Sequence, residues 1–140
     1  MADILTLVDT NVLLDVVTNA PDWADWSIGQ LDAAAMRGRV AICDIVYAEI
    51  SVRFRSIETL DTALEAAGIE LLGLSREALF LAGKAFLAYR AAGGARTGVL
   101  PDLFIGAHAV TLDAPLLARD TGRFRAYFPS LTLITPAPIQ

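Results

Sequence analysis

The sequence predicts an α/β fold, a parallel sheet of about five short strands with helices on both faces. Three observations predict it. Short runs rich in branched aliphatic residues recur along the chain, with the length and composition of buried strands. Longer segments with apolar residues at helical spacing alternate with them, which is the signature of strands joined by helical crossovers. Residues that start or stop helices, Asp, Ser, Pro and Gly, stand at the joints.

Taken in order, Ile4 to Val8 reads as the first strand, and it stops at Asp9-Thr10-Asn11, three residues that open helices well. Trp23 to Arg37 places Ala24, Ile28, Leu31 and Ala35 on one helical face and is closed by Gly38. Val40 to Cys43 is the second strand. Asp44 is placed to cap the next helix, which carries Val46, Ile50 and Phe54 inward with Glu49 among them. Ser56 opens a helix with Ile57, Leu60 and Leu64 on one side, ending near Gly68, and Ile69 to Leu72 is the third strand.

Ser75 then caps a longer helix whose stripe is Ala78, Leu81, Ala82, Ala85 and Tyr89, followed by a flexible segment containing Gly93, Gly94 and Gly98. Pro101 suits a first helical position, and the helix from Asp102 to Thr111 is apolar almost all round, so it belongs at the centre. Leu116 to Ala118 is the fourth strand and ends at Arg119-Asp120-Thr121-Gly122. Leu131 to Ile134 is the fifth, before a tail with Pro136 and Pro138.

At 140 residues the chain is one domain, residues 1–140, able to bury a core without disulfides. It is 55% hydrophobic with a mean hydropathy of +0.52, yet no run reaches the roughly 18 apolar residues of a membrane span. Met1-Ala2-Asp3 lacks the basic start of a secretory signal, and the lone Cys43 fits a reducing compartment, so a cytoplasmic protein is expected. The net charge of -5 is uneven: residues 1–75 hold 4 basic and 12 acidic groups, residues 76–140 hold 7 and 4. Arg119, Arg123 and Arg125 surround Asp120, either as a solvated face or as a basic rim beside an acidic centre.

Four acids, Asp9, Glu49, Asp102 and Asp120, border segments that read as buried. Ligands of open parallel sheets bind beyond the carboxyl ends of the strands, where Asp9 and Asp120 lie and which early helical residues can reach. Buried carboxylates need partners, and a divalent cation partners several at once. Each acid alone also has a structural account: Asp9 as a cap, Glu49 as surface, Asp102 as an acid favoured by the helix dipole, Asp120 as a turn residue. Their joint occurrence in four apolar settings favours a metal site.

The ordered segments VDTNVLLD, DIVYAEI, LPDLFIGAHA and LLARDTGRF, the last followed by FPSLTLITP, resemble the successive motifs of PIN-domain ribonucleases, and within them VapC-type toxins of toxin–antitoxin pairs. The resemblance runs from Val8 to Pro136. It implies a Rossmann-like sheet of order 3-2-1-4-5 and an acidic pocket for Mg²⁺ or Mn²⁺, with Asp9 and Asp102 as principal ligands, Asp120 completing the site, and Glu49 either binding through water or helping to orient and deprotonate the nucleophile. It implies RNA hydrolysis, a VapB-type antitoxin occupying the groove, and a homodimer, which the aliphatic composition also suits. In the same reading Thr10, Asn11 and Thr121 hold the carboxylates by hydrogen bonds, if they are not simply capping and turn residues. Arg119, Arg123 and Arg125 would meet RNA phosphates, with Arg96 in the Gly-rich loop. The non-enzymatic alternative is a PIN-like scaffold that binds RNA or protein without cutting.

Other chemistries find less support. His108 is six residues beyond Asp102, about 240° around the helix, and no second His exists for a zinc site, so it is read as structural. GGARTG lacks the GK[ST] ending of a phosphate-binding loop. Asn11 stands where an aspartyl-phosphate enzyme would need a second acid, and Lys84, the only lysine, lies within an amphipathic helix. Trp23 and Trp26, three apart, are assigned to packing in preference to base stacking.

Overall fold

In the computed structural model, which describes residues 4–136, the first strand, β1 (Thr6–Val8), lies at the centre of a five-stranded sheet. The others are β2 (Val40–Ile42), β3 (Ile69–Leu71), β4 (Leu116–Leu117) and β5 (Leu133–Ile134), in the order β3-β2-β1-β4-β5 and parallel throughout. The expected five-stranded parallel sheet, with its order, is therefore present. Leu7 pairs with Ala41 on one side and Leu116 on the other, so the middle of the sheet is aliphatic and buried. β3 forms one edge and is more polar; there Glu70 accepts two 2.8 Å hydrogen bonds from Arg39, a charged pair on an exposed edge.

Among the described residues, seven helices surround the sheet: α1 (Thr10–Val17), α2 (Ala24–Arg37), α3 (Asp44–Ser51), α4 (Ile57–Ala66), α5 (Arg76–Ala91), α6 (Pro101–Thr111) and α7 (Gly122–Tyr127). The main core gathers β1, β2 and β4 with Val12, Val46, Ile50, Leu60, Ile105 and Phe124. A second cluster joins the alanine stripe of α5 (Ala78, Ala82, Ala85) to Leu103, Ala107 and Phe128. The small stripe lets α5 lie close to α6. Gly106 does the same for the chain after α7, since a Cβ there would overlap the Phe128 ring. No helix among the described residues is long and apolar enough to cross a membrane.

Several local expectations are corrected. The first strand pairs only from Thr6, because the Ile4 amide bonds instead to the Arg37 carbonyl at 3.3 Å. Leu131 is not in the last strand; its amide closes onto the Phe128 carbonyl. Asp44 is not a cap. Cys43 holds that position, and the Asp44 carboxylate accepts from the Leu74 amide at 3.1 Å, tying α3 to the loop before α5.

On α2 the buried residues are Ala24, Ser27 and Ala34, while Ile28 is 42% exposed, because Ser27 is drawn inward by a polar partner on α1. Ile57 is exposed at the start of α4, whereas Leu60 and Leu64 face inward as expected. α7 replaces the turn expected after Asp120 and is held by the buried Phe124. Pro138, part of the expected tail, lies outside the described residues.

Candidate active site

Because every strand runs in the same direction, all carboxyl ends meet at one edge of the sheet, and β1 delivers Asp9 there. The Asp9 amide donates to the Leu117 carbonyl at 2.9 Å, which extends the β1–β4 ladder by one residue and fixes the backbone under the carboxylate. Asp9 occupies the N-cap position of α1, yet its side chain makes no capping bond. A cap role thus does not account for an acid only 5% exposed. Burial pushes its carboxyl up to about 7, and the negative charges of Asp102, Glu49 and Asp120 push the same way, against a downward pull from the Thr10 amide.

Asp9, Thr10, Asn11, Glu49 and Asp102 line one open cleft of about 410 Å³, walled on its apolar side by Leu14 and Val52. Glu49 comes from α3, where the following Ile50 is buried and sets the helix rotation. Its carboxylate accepts a 2.6 Å hydrogen bond from the Thr10 hydroxyl. Asp102 comes from the first turn of α6, directly after Pro101 at the helix start. It is paired with Arg123 at 3.3 Å, and Arg123 lies 6.0 Å from the Tyr89 ring centre.

Asp120 follows β4, is exposed, and does not line the cleft; its charge nevertheless reaches Asp9. The fold brings three of the four expected acids to one cleft and sets the fourth within electrostatic range. Among the described residues, no three acidic, histidine or cysteine side chains stand close enough together to enclose an ion. Glu49 is held by Thr10 and Asp102 by Arg123. The donor chemistry nonetheless fits a hard divalent cation: oxygens only, with three further acidic charges adding to the cost of ionising the buried Asp9.

The remaining expected residues divide. Thr10 holds an acid, and Asn11 lines the cleft. The Thr121 hydroxyl accepts from Arg125 at 3.1 Å, which ties the N-cap residue of α7 to a side chain of its last turn. The Arg96 amide donates to the Tyr89 hydroxyl at 3.2 Å and its carbonyl accepts from Arg90, so this stretch of the Gly-rich segment is tied to α5. His108 is buried, with Nε2 lacking a partner; burial lowers its pKa, opposed by Asp44 and a hydrogen bond to the Gly73 backbone. It does not line the cleft that holds Asp9, Glu49 and Asp102.

Arg119 is corrected. It does not stand free as a rim cation: both arms of its guanidinium bond to Asp15 at 2.9 Å, and it lies 4.9 Å from the Trp23 ring centre. Asp15 and Ser27, both buried, are missing from the expected set. The signal for Asp15 was present, an acid beside Leu14 and Val16 six residues after Asp9, of the same kind that singled out the other acids.

The sequence profile of the PIN domain matches residues 6–128. The chain belongs to the PIN-domain family. Solved structures share the fold of this PIN domain. A chain of VapBC2 from Rickettsia felis, bound to a DNA fragment from its promoter, is similar with a TM-score of 0.73 and 22% identity, over 96% of this chain and 100% of that one. DNA-bound VapBC from Salmonella typhimurium gives 0.70 and 17%, and VapBC-1 from nontypeable Haemophilus influenzae 0.68 and 20%, each over 94% of this chain and 98% of theirs. No match of comparable significance was found among curated proteins.

Proposed function

We propose that this PIN domain is a divalent-metal-dependent ribonuclease and the toxin of a VapBC-type toxin–antitoxin pair. The observation that carries the reading is Asp9: a carboxylate not used as a cap, at the carboxyl edge of the sheet, raised in pKa by burial and then by the charges of three other acids. A perturbed carboxylate with further acids converging on its cleft is what a site for charge-stabilising chemistry requires. The similarity to chains of VapBC complexes supports the toxin assignment.

Asp9, Asp102 and Asp120 would hold Mg²⁺ or Mn²⁺. When bound, such an ion supplies Lewis-acid polarisation of a phosphoryl oxygen and lowers the pKa of a bound water. Glu49, oriented by the Thr10 hydroxyl, takes the proton of the attacking water as its oxygen bonds to phosphorus; one phosphoester bond breaks, and the departing ribose oxygen takes up a proton from solvent. Asn11 and Thr121 steady the acids from the cleft wall and the α7 turn. Arg123 and Arg125, both exposed, meet RNA phosphates, and Arg96 extends that contact along the loop. The chain acts as a homodimer in the cytoplasm and is silenced by a VapB-type antitoxin lying in the cleft.

Cleavage of total RNA with Mn²⁺ by the wild type, Asp9→Ala and Asp102→Ala, each shown to be folded by circular dichroism, tests the site. Loss of at least about 100-fold in both variants is expected; equal cleavage by all three sinks it. RNA binding without any cutting would establish the scaffold reading. Growth arrest on expression, relieved by the product of the adjoining gene, tests the toxin assignment.

A further inference from the structure

We propose that Asp15 is a positioning residue that, through Arg119, sets Asp120 against Asp9 and thereby tightens divalent-metal binding without touching the ion. The inference rests on the metal site proposed above and extends it to a side chain outside the cleft.

Asp15 is 3% exposed and uses both oxygens: Oδ1 accepts from Arg119 Nη2 at 2.9 Å, and Oδ2 accepts from Arg119 Nε at 2.9 Å and from the buried Ser27 hydroxyl at 2.8 Å. Two parallel bonds to a planar fork fix the rotation as well as the distance of the guanidinium. The Trp23 ring beside Arg119, itself edge-on to Trp26 at 6.0 Å, further confines it.

The chain just before is anchored as firmly. The Leu117 carbonyl accepts from the Asp9 amide, and the Ala118 amide donates to the Ile134 carbonyl at 3.0 Å. Asp120 is therefore the first residue past a main-chain anchor at Ala118 and a side-chain anchor at Arg119. The second anchor is carried by α1, the helix that begins just after Asp9. Six residues of helix, a rise of about 9 Å, separate Asp9 from Asp15, so one rigid element references both acids.

Stability alone is a poor account of the pair. A buried ion pair costs much of its attraction in desolvation, and apolar replacements are often as stable; fixing one arrangement is the better-attested use. Asp120 supplies the reason for fixing this one. It is exposed, and no hydrogen bond or ion pair of its own side chain is among those the described residues make.

The test is a mutant cycle read by calorimetric Mn²⁺ binding to the full chain, with wild type, Asp15→Asn, Asp120→Asn and the double variant, and thermal unfolding of each. Asp15→Asn is expected to weaken Mn²⁺ about tenfold. In the Asp120→Asn background it weakens Mn²⁺ no further, while its effect on unfolding persists in both backgrounds. Arg119→Lys keeps the charge but loses the fork, and carries the same cycle should Asp15→Asn not fold. Additive losses of Mn²⁺ affinity overturn the inference and leave the metal site standing. A wild type that binds no Mn²⁺, or an Asp9→Asn variant that binds it equally well, overturns the metal site and this inference with it.

Discussion

Asp9 and Asp102, far apart in sequence, line the same cleft, and Asp102 exerts the strongest of the charge effects that raise the Asp9 pKa. The consequence is a stability that falls with pH. Folding lifts the Asp9 carboxyl from an ordinary 3.8 to about 7, so between these values the folded chain binds more protons than the unfolded one. Stability contributed by protonated Asp9 is fully present below about 4 and is lost as pH rises through about 7. In EDTA, the melting temperature of the wild type should drop between pH 5 and pH 8 relative to that of Asp9→Asn, which has no such titration. Parallel pH profiles for the two proteins would show that Asp9 titrates normally.

Thr10 and Glu49 are joined by a 2.6 Å hydrogen bond across α1 and α3. Thr10→Val preserves shape and removes the donor. A neutral donor to a charged acceptor in a part-buried setting is worth about 1.5 to 3 kcal/mol. The expected result is a kcat reduced about tenfold with KM nearly unchanged, and Thr10→Ser restoring most of the loss. A variant that raised KM alone would assign Thr10 to substrate binding instead of to orienting Glu49.

Arg123 and Arg119 are neighbours in sequence with opposite tasks. The Arg123–Asp102 pair is exposed at 46% and 38%, so its contribution to stability is small. Arg123→Ala should leave the melting temperature within about 2 °C while weakening RNA binding and flattening its dependence on salt by about 0.7 of a log unit per log unit. Arg119→Ala abandons the buried Asp15 and should destabilise by about 3 kcal/mol or more. Equal stability losses would refute the distinction.

The contrast between these arginines shows where sequence stops being informative. Strand and helix alternation, the alanine stripe of α5 and the acids at strand ends all follow from local pattern, and the structure has them. Which arginine turns inward depends on Asp15, a partner 104 positions away, and no local period encodes that. The same pairing explains the misjudged face of α2, where Ser27 is buried and Ile28 is exposed. α7 was hidden because six residues with one buried anchor, Phe124, offer too little periodicity to distinguish a helix from a turn.

Gly106 tests whether packing or propensity governs α6. Alanine is the better helix former by about 1 kcal/mol, so in an isolated helix Gly106→Ala would stabilise. Here a Cβ would overlap the Phe128 ring, which is buried against α5 and α6 and sits at the end of α7. Relieving that overlap moves the ring and with it the α7 segment that carries Arg123 and Arg125. The expected net effect is destabilisation by about 1 to 3 kcal/mol, because overpacking outweighs the gain in propensity. Gly106→Ala combined with Phe128→Leu should recover part of the loss, since the smaller side chain leaves room for the methyl group. A single variant more stable than the wild type would mean that the ring shifts freely and that α7 is only loosely held against α6.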